Sequence, residues 1–120
     1  MRLLRKIVSQ KPETRFKERV KKHLRKLPET WLVKIQQVVI LGTPDILCCC
    51  RGQFVALELK RDKKAEISAM QILELKRIEK AGGISLVTYP ENWEDCLEYL
   101  RLLAEKGTIK NVKTNFRPFA

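Results

Sequence analysis

The chain has 120 residues (14.0 kDa) and carries 25 Lys and Arg against 14 Asp and Glu, a formal charge of +11. That length gives one domain with room for one modest core. No run approaches the roughly 18 apolar residues of a membrane helix. The four cysteines, three of them adjacent, form no disulfide framework, and the lone His23 with no CxxC gives no zinc pattern.

Residues 1–11 (MRLLRKIVSQK) start basic but lack the apolar run of a signal peptide. Pro12-Glu13-Thr14 then opens a helix to about Leu27, stopped by Pro28, with Phe16, Val20, Leu24 and Leu27 on one stripe. At 100° per residue, Glu13 falls roughly 60° from Phe16, on that stripe, and Glu18 roughly 200° away, on the solvent face. Residues 31–37 (WLVKIQQ) read as a strand. Residues 45–50 and 53–60 are short apolar runs joined by Arg51-Gly52, which reads as a β-hairpin. Alternation puts Cys48 and Cys50 on one side of it and Cys49 on the other, small strand residues suited to a reducing cytosol. After the polar loop RDKKAE, a helix runs from about Ser68 to Lys80 and Gly82-Gly83 stop it. Ile84–Thr88 is a strand. Pro90 leads to a last helix at about 93–105, whose apolar face is Trp93, Cys96, Leu97, Leu100, Leu103 and Ala104. The order αβββαβα, with a strand-helix-strand crossover over 53–88, predicts an α/β fold: a mixed sheet flanked by helices.

The hairpin carries the chemistry. It brings the start of its first strand beside the end of its second, so Asp45 and Glu58 meet at one end of the ladder. Glu58 and Lys60, two apart, share a face. Two carboxylates and an ammonium on an apolar sheet are costly to bury unless paired or holding a metal. Hard oxygen donors of this kind suit Mg²⁺ or Mn²⁺, which can activate water and neutralise a phosphate. The bland alternative, a turn aspartate and a surface cross-strand pair, sits badly with the apolar neighbours Val55, Leu57 and Leu59.

Charge points the same way. Residues 1–27 hold eleven basic residues against two acids (+9), residues 106–120 four against none (+4), and residues 28–105 ten against twelve (−2). A near-neutral body between a basic N-terminal arm (1–11) and a basic tail (106–120) favours a polyanion, since neutralised phosphates release counterions.

Pro44-Asp45, Glu58-Leu59-Lys60 and the stretch ISAMQILELKRIEKAGG resemble the PD-(D/E)xK nuclease superfamily. More narrowly, they resemble small stand-alone virus-type replication-repair nuclease (VRR-NUC) domains of phage or bacterial type, over about Glu13 to Thr88. The resemblance implies a restriction-endonuclease-like core and a Mg²⁺-dependent DNA endonuclease, with Mn²⁺ as substitute. Asp45, Glu58 and the Leu59 carbonyl would hold the metal, and Lys60 would act on the attacking water and the developing charge. Two residues keep two readings each. Glu13, with Phe16, Val20 and Leu24, matches the family's helix glutamate and its following apolar positions, but it also suits a positive helix N-terminus. Gln71 matches a family glutamine near the catalytic centre, yet Ser68-x-x-Gln71 is also a capping box. Lys34, Arg61, Arg15 and Lys22 are the candidate phosphate contacts. One departure is Ile40-Leu41 before Gly42, where relatives often carry a basic residue. The resemblance further implies a homodimer acting on branched DNA such as four-way (Holliday) junctions, in the cytoplasm of a bacterial or phage-infected cell. The last helix, with Trp93 and Tyr99, is the candidate interface, although core packing explains Trp93 just as well. The alternatives are flap or single-strand cleavage, or a non-catalytic nucleic-acid-binding protein.

Overall fold

Seven elements follow in the expected order in the computed structural model, which describes residues 12–36 and 40–107. The arm at 1–11, most of the basic tail, and the side chain of Glu13 lie outside the described residues. The elements are α1 (Pro12–Arg25), β1 (Thr30–Lys34), β2 (Ile46–Cys50), β3 (Gln53–Leu59), α2 (Ala69–Lys80), β4 (Ile84–Thr88) and α3 (Trp93–Lys106). The sheet order is β1-β2-β3-β4, antiparallel for the first two pairs and parallel between β3 and β4, hence mixed.

The hairpin turns tightly because Arg51 and Gly52 both take positive φ, 43° and 82°. That mirror-image turn matches the twist of the flanking strands. Arg51 is held there from two sides. Its N–H donates to Glu29 O (2.7 Å), and its Nε donates to Ala104 O (2.7 Å), near the end of α3 where unpaired carbonyls favour a cation.

Even-numbered residues of β2 and odd-numbered residues of β3 form one face of the sheet. α1 supplies Phe16, Val20 and Leu24 against it, and α3 supplies Trp93, Cys96, Leu100 and Leu103. Each such side chain contributes about 1.5–3 kcal/mol by leaving water. Trp93 is fully buried, its indole N–H donating to His23 Nδ1 (2.8 Å) and its ring meeting Phe16 edge-on at 84°. Tyr99 is half-buried and packs on the same core. Trp93 therefore belongs to the interior and not to an interface on the last helix. The periodicity of α3 showed an apolar face but not what that face meets. α2 covers the opposite side of the sheet over β4, with Leu75 buried and Ser85 Oγ donating to Leu75 O (2.7 Å).

Two boundaries differ from expectation. β1 ends at Lys34 instead of residue 37. Ile35 N–H still reaches Asp45 O (2.8 Å), but the next residue across is Pro44, which has no N–H to continue the ladder. α1 ends at Arg25, and Lys26 and Leu27 close a tighter turn onto His23 O and Leu24 O before Pro28. No helix among the described residues is long and apolar enough to cross a membrane. All four cysteines are free; Cys48 and Cys50 are buried and Cys49 is exposed, as alternation requires.

Candidate functional site

The register pairs Ile46 with Leu57, so the next pair outward sets Asp45 opposite Glu58. Glu58 lies on the face toward α2, where Gln71 reaches it, and Asp45 stands at the end of the sheet within reach of α1, both at the carboxyl end of the parallel pair β3–β4. Ligands of open α/β sheets gather at that end. Asp45 is fixed by its Oδ2, which accepts the Leu59 N–H at 2.8 Å. Its Oδ1 faces the Lys17 ammonium of α1 at 3.8 Å.

Glu58 is only 3% exposed. Its Oε1 accepts from Gln71 Nε2 at 2.9 Å and lies 3.9 Å from Lys60 Nζ. Its Oε2 is buried with no hydrogen-bond partner. Burial, and then the neighbouring charge of Asp45, push the Glu58 carboxyl up to about 8, while Lys60 and Lys17 pull the other way. Near neutral pH that carboxyl therefore carries a proton in the metal-free protein, and ionising it in this low-dielectric site costs free energy unless something cationic meets it. With Asp45, Glu58 offers the hard oxygen donors a divalent cation takes. The donor set thus fits such an ion through Asp45 and Glu58, although no cluster of three His, Cys, Asp or Glu side chains gathers among the described residues.

Gln71 satisfies both of its readings. It completes the capping box, its N–H donating to Ser68 Oγ (3.1 Å) and its Oε1 accepting from Ser68 N (2.9 Å). The same amide bridges the site, donating to Glu58 and accepting from Lys60 Nζ at 2.9 Å. The turn before Asp45 is seated on this helix start. Gly42 has φ 84°, and a Cβ there would lie 2.3 Å from Met70 O.

A cleft of about 360 Å³ opens beside the centre, lined by Phe16, Lys17, Leu59, Lys60, Arg61, Ala65 and Glu66. No family model matches the sequence, and no curated protein matches it. The architecture does have a solved counterpart: a structure described as "VRR_NUC domain" is similar with a TM-score of 0.61 at 22% identity, covering 82% of this chain and 100% of that one. This chain has the VRR-NUC fold.

Within this VRR-NUC fold, Asp45, Glu58, Leu59, Lys60 and Gln71 come together, and Arg61 lines the adjoining cleft with Leu59 and Lys60 while its guanidinium pairs with Asp62 (3.4 Å). Arg15 and Lys22 are exposed on α1, seven residues apart and so on one helix face. Lys34 is exposed on the sheet edge, where its charge helps lower the Glu18 carboxyl. Glu18 faces solvent and pairs with Lys21 at 2.7 Å, as its helical phase required. Lys17 was missed. One residue beyond buried Phe16, it sits at the rim of the apolar stripe, and that position is readable. Its contact with Asp45 is not, because it depends on how α1 crosses the hairpin.

Proposed function

We propose that this chain is a Mg²⁺-dependent DNA endonuclease centred on Asp45, Glu58 and Lys60. The observation that carries the reading is the buried, unpartnered Oε2 of Glu58 beside Asp45. Asp45, Glu58 and the Leu59 carbonyl would hold the cation, with Glu13 a further possible ligand. When bound, the cation supplies Lewis-acid polarisation of a phosphodiester and a more acidic water. The chain's own residues do the rest. The Leu59 N–H fixes the Asp45 carboxylate, and Gln71 orients Glu58 and Lys60 through one amide. Lys60 lines the cleft, and its ammonium, held by Gln71 near Glu58, would orient the attacking water and offset charge growing on the phosphate. Arg61, Arg15, Lys22 and Lys34, with the basic ends of the sequence, would hold the backbone.

The substrate we infer is branched DNA, with a four-way junction cut by a homodimer, because paired symmetric nicks need two centres related by a two-fold axis. The test is cleavage of labelled four-way junction, flap, duplex and single strand with Mg²⁺, beside Asp45→Asn. The expected result is two symmetric nicks in the junction, and an Asp45→Asn variant that binds DNA nearly normally but neither cuts it nor binds Mn²⁺ in calorimetry. Better cutting of flaps by a monomer would leave a nuclease of other specificity. No cutting of any substrate would leave a nucleic-acid-binding protein of this fold.

A further inference from the structure

Asp45 divides its two oxygens between a fixed partner and a movable one. Oδ2 is committed to the Leu59 N–H at 2.8 Å, so Oδ1 is the oxygen open to an incoming cation. That oxygen faces the Lys17 ammonium, 3.8 Å away. A divalent cation binds a carboxylate oxygen at about 2.0–2.6 Å. An ammonium about 4 Å from the same oxygen would be repelled by it. Lys17 also lines the cleft with Lys60 and Arg61, where a phosphodiester would lie.

The two lysines of this cleft are held differently. Lys60 is 15% exposed, and its ammonium is bonded to Gln71 and lies near Glu58. Lys17 is 34% exposed, and Asp45 is its one ion-pair partner among the described residues. Its four-carbon stem has rotamers to spare. Part-exposed pairs of this kind are weak, so the contact yields readily to a stronger cation.

We infer that Lys17 is a displaceable placeholder: it neutralises Asp45 in the metal-free protein, yields Oδ1 to the divalent cation, and then contacts a substrate phosphate in the cleft. This rests on the metal-dependent nuclease reading above. It makes Lys17 a positioning residue for the substrate whose availability depends on occupancy of the metal centre. An ordinary surface ion pair would have no such dependence.

The test uses the full chain with Lys17→Met and Lys17→Arg. In calorimetry of metal-free protein, Lys17→Met should bind Mn²⁺ roughly two- to fivefold more tightly, the affinity equivalent of losing a part-exposed ion pair. Lys17→Arg should stay near wild type. In Ca²⁺, the salt dependence of four-way-junction binding should lose about 0.9 from its log–log slope in Lys17→Met, the equivalent of one phosphate contact. In EDTA that difference should vanish, because Lys17 is then engaged by Asp45. Lys17→Arg should restore the Ca²⁺ slope. Unchanged Mn²⁺ affinity in Lys17→Met, or an equal loss of slope with and without Ca²⁺, overturns the placeholder and leaves the nuclease reading standing. A wild-type protein that binds no Mn²⁺ overturns both.

Discussion

Glu58 is the residue at which stability and chemistry pull apart. A carboxylate that is 3% exposed, with one oxygen unpartnered and a second carboxylate beside it, is a poor choice for holding a fold together. Lys60 and the Gln71 amide offset part of the cost. If the arrangement serves a cation, neutralising Glu58 should relieve the metal-free protein while disabling it. Glu58→Gln is therefore expected to unfold at the same or higher denaturant concentration in EDTA, with a gain of about 1–2 kcal/mol. It should also lose Mn²⁺ binding and cleavage. A loss of stability would mean that the carboxylate is structurally required, as a hydrogen-bonded core group would be. Asp45, Glu58 and Lys60 were legible from the sequence because strand alternation and a two-residue turn fix both face and register. For Gln71 the Ser68-x-x-Gln71 spacing showed the cap, and only the family resemblance pointed to the site. Lys17 was not legible: helical phase places its side chain at the rim of a stripe but cannot say which loop end that rim overhangs.

At the level of elements, the site depends on how the turn at residues 42–45 is seated on the start of α2. Gly42 has φ 84°, a conformation L side chains rarely adopt, and its Cα approaches the Met70 carbonyl so closely that a Cβ would sit 2.3 Å from that oxygen. The obstacle is helix backbone, which cannot rotate away. Gly42→Ala should force Asp45 and Gln71 apart, costing about 1–3 kcal/mol. The corresponding fall in Tm is about 4 °C or more. Cleavage should fall further than stability does, because the carboxylates and Gln71 share the displaced backbone. Thermal unfolding alongside the junction assay checks this, and a variant with native Tm and full activity would show that the turn is not a positioning element. The sequence showed a glycine turn before Asp45 but not its neighbour, since Gly42 and Met70 meet only through the crossover. Trp93 was readable on the apolar face of α3 as a core residue or an interface one, and what decides between them, α1 delivering Phe16 and His23 to it, was not in the sequence.

Across the whole molecule, one surface is out of keeping with a chain of charge +11. Trp31, Cys49 and Phe54 are consecutive partners in register across β1, β2 and β3, side by side on the face that α2 packs mainly over β4, with Phe54 bordering Ile78 of α2. Trp31 is 64% exposed and Phe54 45%. At 150–250 Å² per aromatic, these two residues leave roughly 160–270 Å² in water. That is a modest apolar patch, a fraction of the roughly 800 Å² per partner that a standard interface buries, so it would form the centre of such a contact and not its whole. The row holds no charge, so a phosphate backbone gains nothing there. A second copy does, because a two-fold contact sets the row against itself. If the chain acts as the homodimeric nuclease proposed above, this face, and not α3, is where the protomers should meet. Trp31→Glu would place two carboxylates in the centre of that contact. In sedimentation at working concentrations, wild type should run as a dimer and Trp31→Glu as a monomer with unchanged secondary structure. The variant should retain Mn²⁺ binding but lose the paired symmetric cuts in a four-way junction, giving single nicks instead. A variant that stays dimeric and cuts in pairs would place the two-fold contact elsewhere.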